Sequence, residues 1–138
     1  MKIGSDEEYV EIEKLERNPE GAPCAGDVKV RVALCLQAFS GSHSGVWFAL
    51  PEMERFISEL EMLDAKRSGS ARILSMSPGE FALEIRASGP LGHMEMEVQL
   101  QRRQYSGPRC WPTYLKGGFE AKPETARQLV SCFKALAN

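Results

Sequence analysis

Val28-Lys29-Val30-Arg31-Val32-Ala33-Leu34-Cys35-Leu36-Gln37 carries the strictest alternation in the chain. Val28, Val30, Val32, Leu34 and Leu36 fall on one face and Lys29, Arg31 and Gln37 on the other, the period of two expected of a strand with one face buried. Burying each of those side chains is worth roughly 1.5–3 kcal/mol. A one-residue slip would turn the whole set to solvent, so the register is strongly specified. Upstream, Tyr9-Val10-Glu11-Ile12-Glu13 reads as a first strand with Val10 and Ile12 inward, and Arg17 to Asp27, rich in Pro and Gly, reads as a loop. Downstream, Phe39-Ser40-Gly41-Ser42-His43-Ser44-Gly45 has the composition of a turn, and Val46 to Leu50 returns as the second arm of a hairpin.

Pro51 suits the first position of a helix, where its missing N–H costs nothing, and Glu52 and Glu54 favour the positive helix start. Met53, Phe56, Ile57, Leu60 and Leu63 then fall on one stripe, predicting an amphipathic helix of about three turns that ends before Ser68-Gly69-Ser70. Ala71 to Ser77, Phe81 to Arg86 and His93 to Gln101 read as an antiparallel meander. Phe81, Leu83 and Ile85 face inward with Met94, Met96, Val98 and Leu100, while His93, Glu95, Glu97, Gln99 and Gln101 face outward. Arg102 to Pro112 reads as a loop rich in breakers, and Tyr114 to Ala121 as a weaker strand bent at Gly117-Gly118. After Pro123, Ala126, Leu129, Val130, Phe133 and Leu136 share one face of a second helix. The expected fold is therefore α+β in the order βββα-ββββα. About seven strands form a predominantly antiparallel curled sheet or opened barrel under two helices, in one domain over residues 1–138, with no strict internal repeat.

At 138 residues the chain has the size of one ordinary domain, and folding at that length hides roughly two-thirds of the unfolded surface. Its formal charge of −2 is too small to indicate a polyanion partner, since nucleic-acid binders gather a basic excess on one face. No apolar run approaches the roughly 18 residues of a membrane span, and residues 1–15 lack the pattern of a secretory signal. The expected location is the cytoplasm. Cys24, Cys35, Cys110 and Cys132 show no zinc-site spacing. Cys35 and Cys132 lie in apolar patterns and read as small buried hydrophobes. A disulfide between Cys24 and Cys110, both in Pro/Gly-rich segments, is left open, although a reducing compartment disfavours it.

Chemistry based on histidine must fall on His43 or His93, the two in the chain. His43 is flanked by Ser42 and Ser44, but no nucleophile elbow or orienting acid accompanies them, and it reads as a solvated turn residue. His93 shares its strand face with Glu95 and Glu97, and His93 with Glu95 could bind a divalent metal, although a polar face with cross-strand pairs such as Glu95 with Arg86 accounts for the same residues. The Gly/Ser segment at Phe39 to Gly45 lacks the lysine and the helix start of a phosphate loop. Arg102, Arg103 and Arg109 beside Tyr105 and Trp111 are compatible with nucleic-acid contact, and equally with a solvated surface. The densest charge is acidic: Asp6, Glu7, Glu8, Glu11 and Glu13, with Glu16, against Lys14. Such a block serves as a solvated face or steers a basic protein partner.

Ile3-Gly4-Ser5-Asp6 leading into Tyr9-Val10-Glu11-Ile12, followed by Phe39-Ser40-Gly41-Ser42, Phe56 to Leu63 and Gly92-His93, resembles the WapI-like family of small bacterial proteins. The resemblance runs from the first strand to the Pro123 helix, and its motifs are structural. It departs from the family pattern at Pro23-Cys24-Ala25-Gly26-Asp27 and at Phe119-Glu120-Ala121-Lys122. The resemblance implies an immunity protein that neutralises a nuclease toxin, hence a non-enzymatic, cofactor-free domain with a protein partner. Two other classes stay open: a small-ligand or metal-dependent enzyme using His93 and Glu95, and a structural homodimer, because strand edges must be blocked or paired.

Overall fold

The computed structural model describes residues 1–138. In chain order it contains β1 (Lys2–Gly4), β2 (Glu8–Arg17), β3 (Val28–Leu36), β4 (Phe39–Phe48), α1 (Leu50–Lys66), β5 (Ser70–Leu74), β6 (Phe81–Ala87), β7 (Met94–Ser106), β8 (Arg109–Ala121) and α2 (Thr125–Ala137). The strands form two open four-stranded sheets, β1-β2-β3-β4 and β5-β6-β7-β8. All neighbours are antiparallel. The α+β class, the antiparallel pairing and the two helices agree with expectation. The differences are eight strands in place of about seven, and two sheets in place of one curled sheet. Each sheet is followed by its helix, so the architecture repeats as ββββα twice, a symmetry with no counterpart in the residue pattern.

The alternation of β3 sets the first sheet, with Val28, Val30, Val32 and Leu34 buried. On the second sheet, Phe81, Leu83 and Ile85 meet Met94, Met96, Val98 and Leu100 as expected. The inner faces and both helices share one cluster of 30 buried apolar residues. At its centre Phe48 of β4 lies edge-on to Phe81 of β6 and Phe133 of α2, both at 5.6 Å, and Phe133 lies edge-on to Phe56 of α1 at 4.9 Å. One aromatic group thus ties both halves together, each pair adding about 0.5–1.5 kcal/mol beyond its buried area.

Helix α1 runs for 17 residues, well past the three turns expected, because its last turns hold Leu60 and Leu63 against the core. Its first free N–H, on Leu50, donates to the buried carboxylate of Asp27 at 2.9 Å, which supplies both a hydrogen-bond acceptor and a negative charge at the positive helix end. Gly26 beside it has φ +88°, and a Cβ there would lie 2.7 Å from the Leu50 side chain, so the loop closes onto the helix only with glycine. The outer side of α1 covers the open edge of β5. The Arg72 N–H donates to Glu59 at 3.1 Å, the Leu74 N–H donates to Glu52 at 3.0 Å, and Arg55 donates to the Arg72 carbonyl at 2.7 Å. An edge whose donors and acceptor are taken up this way offers no template for another strand.

Four local expectations are corrected. Phe39 to Gly45 is the first part of β4 and not a turn; the reversal is made by Gln37 and Ala38, with Gln37 at φ 60°. Its small residues serve packing, since Gly41 lies under Leu115 of β8. Arg102 to Pro112 is a paired β-hairpin and not a loop. Leu50 begins α1 and does not end β4. Gln101, expected outward, is buried over Gly79, where a Cβ would come within 2.8 Å of its Oε1. Cys132 is buried as expected, which pushes its thiol pKa up, whereas Cys35 is half-buried, and all four cysteines are free thiols. No helix is long and apolar enough to cross a membrane.

Candidate partner-binding surface

The acidic segment occupies the β1–β2 hairpin. Ser5 organises its turn, its hydroxyl accepting from the Glu8 N–H at 3.1 Å. Asp6 pairs with Lys2 at 3.1 Å and Glu13 with Arg31 at 3.4 Å. The Asp6 hydrogen bond is the main cause of a raised Lys2 pKa. Glu7, Glu8 and Glu11 form no ion pair; Glu7 is exposed, Glu8 and Glu11 are half-buried, and Glu11 stands opposite Lys2. The Glu7 carbonyl accepts from the Gln37 N–H at 2.8 Å, and Leu36 beside it packs against Gly117 of β8. Through these contacts the acidic turn sits next to the base of the β7–β8 hairpin.

The two histidines do not converge. His43 lies on β4 at a bulge, where two residues of β4, Ser44 and Gly45, stand opposite the single Arg31 of β3. The extra residue re-aims its ring, as bulges do. Its Nδ1 accepts from the Gly45 N–H at 3.1 Å, and its Nε2 stands 3.6 Å from Glu80. It is therefore a half-buried strand residue rather than a solvated turn residue. His93 precedes β7 and pairs with Glu120 at 3.4 Å. Glu95 turns instead to Arg86, at 3.2 Å. No group of three or more His, Cys, Asp or Glu side chains is arranged to hold a metal ion.

Arg86 organises the outer face of the second sheet. Its guanidinium meets Glu84 at 3.8 Å, Glu95 at 3.2 Å and Glu97 at 3.4 Å, and Lys116 reaches Glu97 at 3.5 Å. Desolvation opposes its charge, but the hydrogen bonds it donates to Glu97 and Glu95 prevail and raise its pKa. Gly117 and Gly118 leave a shallow concavity of about 590 Å³ next to this network. Gly118 is required there because a Cβ would lie 2.5 Å from the Met96 carbonyl.

Beyond Leu100 the β7–β8 hairpin leaves the core, and residues 102–114 are all exposed. Six further residue pairs, Gln101 with Tyr114 through Ser106 with Arg109, continue the register without a break. Gly107, at φ +59°, takes the first central position of the turn, where mirror-image hairpin turns call for glycine. Tyr105 is 74% exposed, Trp111 55% and Tyr114 61%, and Phe39 at the start of β4 is 70% exposed beside them. Arg109 lies over the Trp111 ring at 5.9 Å. The breakers Gly107, Pro108 and Pro112 hide this arm in the sequence. The signal that reveals it is the near-equal length of the runs on either side of Gly107-Pro108.

No curated protein and no solved structure matches the chain significantly. A family model does match, that of the immunity protein WapI-like family, over residues 1–137. The match takes in both sheets and both helices, in agreement with the motifs at Ile3 to Ile12, Phe39 to Ser42 and Gly92-His93, and by it the chain belongs to the immunity protein WapI-like family.

Proposed function

We propose that the chain is an immunity protein that neutralises a nuclease toxin by binding it and covering its working surface. The observation that supports this most is the family match over residues 1–137, which takes in the whole fold and not one element. The surface is consistent with recognition. Glu7 and Glu8 leave negative charge without an ion-pair partner on the turn between β1 and β2, and the β7–β8 arm presents exposed aromatic and arginine side chains. In this reading Asp6, Glu7, Glu8, Glu11 and Glu13 attract the basic surface that a nuclease presents to its polyanionic substrate and speed the encounter. A metal-dependent enzyme using His93 and Glu95 is disfavoured by geometry, because Glu95 is held by Arg86 at 3.2 Å while His93 turns to Glu120 at 3.4 Å.

The test is competitive growth of cells that express a nuclease toxin domain with or without the chain. Rescue that tracks formation of a stoichiometric complex supports the proposal. Rescue by a chain that never co-purifies with the toxin contradicts binding as the mechanism. Neutralising the five acids to Asn and Gln is expected to slow association by about tenfold at low salt and to have less effect at high salt.

A further inference from the structure

We propose that the β7–β8 arm, residues 102–114, is the main anchor of the complex and inserts into a carboxylate-lined cleft of the toxin. This inference rests on the reading of the chain as an immunity protein. The arm is the part of the fold that departs furthest from the core: a two-stranded ribbon with both faces exposed. Its six pairs beyond Leu100 reach about 17 Å at the usual rise of a strand. A projection open on both faces fits a cleft better than a flat surface, because only a cleft covers both.

Charge identifies the lining. Arg102, Arg103 and Arg109 form no ion pair within the chain, whereas Arg31, Arg55, Arg67, Arg86 and Arg127 do; Arg17 and Arg72 also lack one, but they stand singly on other strands. No acidic residue occurs between Gln101 and Glu120. Three unpaired guanidinium groups on so short a ribbon are complementary to carboxylates. The aromatic side chains divide between the faces. Register places Tyr105 and Tyr114 with Arg103, and Trp111 with Arg102 and Arg109. Exposed Trp, Tyr and Arg are the residue types that dominate binding energy when a partner buries them.

On its β8 edge the arm also resists the simplest competing use, pairing with a second strand. β8 is the outer strand of its sheet, and Pro112 removes a donor from that edge. Insertion therefore depends on side chains, which makes it separable from the fold by substitution.

The test is calorimetric titration, at physiological salt, of the toxin domain against which the wild-type chain protects. Trp111→Ala and Tyr105→Ala should each weaken binding by more than about 30-fold, the range of residues at an interface centre. The triple reversal Arg102→Glu, Arg103→Glu and Arg109→Glu should weaken it by more than about 100-fold. The circular dichroism of all three should be unchanged. Should the reversals fail to fold, Arg102→Gln, Arg103→Gln and Arg109→Gln keep the side chains polar and should still lose more than about tenfold. Affinity within threefold of wild type in these variants overturns the arm as anchor and leaves the immunity reading intact. Failure of the wild-type chain to bind any toxin overturns both. Arm-dependent binding of a labelled single-stranded RNA 20-mer, or arm-dependent self-association in sedimentation, assigns the arm to another partner and likewise overturns the proposal.

Discussion

Phe133→Ala tests whether the two ββββα halves are one cooperative unit. Phe133 sits on α2 but touches Phe48 of the first sheet at 5.6 Å and Phe56 of α1 at 4.9 Å, and its side chain is fully buried. Truncating a buried Phe to Ala costs about 3–5 kcal/mol from lost transfer energy and the cavity left behind. With a urea dependence of about 2 kcal/mol per molar, ordinary for a domain of this size, the midpoint should fall by about 1.5–2.5 M. That is a large part of the roughly 5–15 kcal/mol a domain has in total. Phe133→Leu keeps most of the volume and loses mainly the two edge-to-face pairs, about 1–3 kcal/mol. Unfolding is followed by far-UV circular dichroism and, in a Trp111→Phe background, by fluorescence of Trp47 on β4. The two curves should coincide in the parent and in both variants. Separate transitions, or a loss below about 1 kcal/mol for Phe133→Ala, would refute the shared core as the source of cooperativity.

Asp27→Ala leaves the Leu50 N–H without its acceptor and removes the charge at the start of α1. It should cost about 1–2 kcal/mol by thermal melting, with Asp27→Asn costing less because an amide oxygen can still accept. Gly118→Ala should destabilise by about 1–3 kcal/mol and by more than Gly117→Ala. The added carbon meets the Met96 backbone carbonyl in the first case and the movable Leu36 side chain in the second; the reverse order, read from urea midpoints, would contradict the packing at the arm's base. Glu52 predicts a pH effect. Its hydrogen bond from Arg55, outweighing desolvation and aided by the Leu74 N–H, holds its carboxyl below the ordinary value of 4.5. Because the folded pKa is the lower one, this stabilisation is complete above that value and is lost as pH falls through the folded pKa. Glu52→Gln should therefore be less stable than wild type near neutrality and should converge with it in acid. A constant gap across that range would refute the assignment.

The elements legible in the sequence are those with one buried face. β3, β6, the first half of β7 and the apolar stripes of α1 and α2 show their periods because water is excluded on one side only. Where both faces are exposed, as in the first part of β4 and in the arm, no period is imposed. Ser40, Gly41, Pro108 and Pro112 then read as breakers, although cross-strand pairing holds them. β1 imposes no period because a strand of three residues contributes one buried side chain, Ile3. The place of His43 is not legible because the bulge that turns it toward Glu80 adds a residue to β4 and shifts its register. Gln101 breaks its strand's alternation because Gly79 makes room for a polar side chain over the hairpin turn. Of the surface, the acidic segment was visible as composition. The arm's residues were visible only as separate arginines and aromatics, since what unites them is a register that spans both sides of a turn.

The account rests on capture of a toxin by this folded chain. The most direct measurement is co-expression of the chain with each nuclease toxin domain encoded in its own genome, with growth and complex formation read together. The account predicts that one toxin is neutralised and recovered with the chain as a one-to-one complex. Full toxicity of every such domain, with the chain present as folded protein, would contradict it.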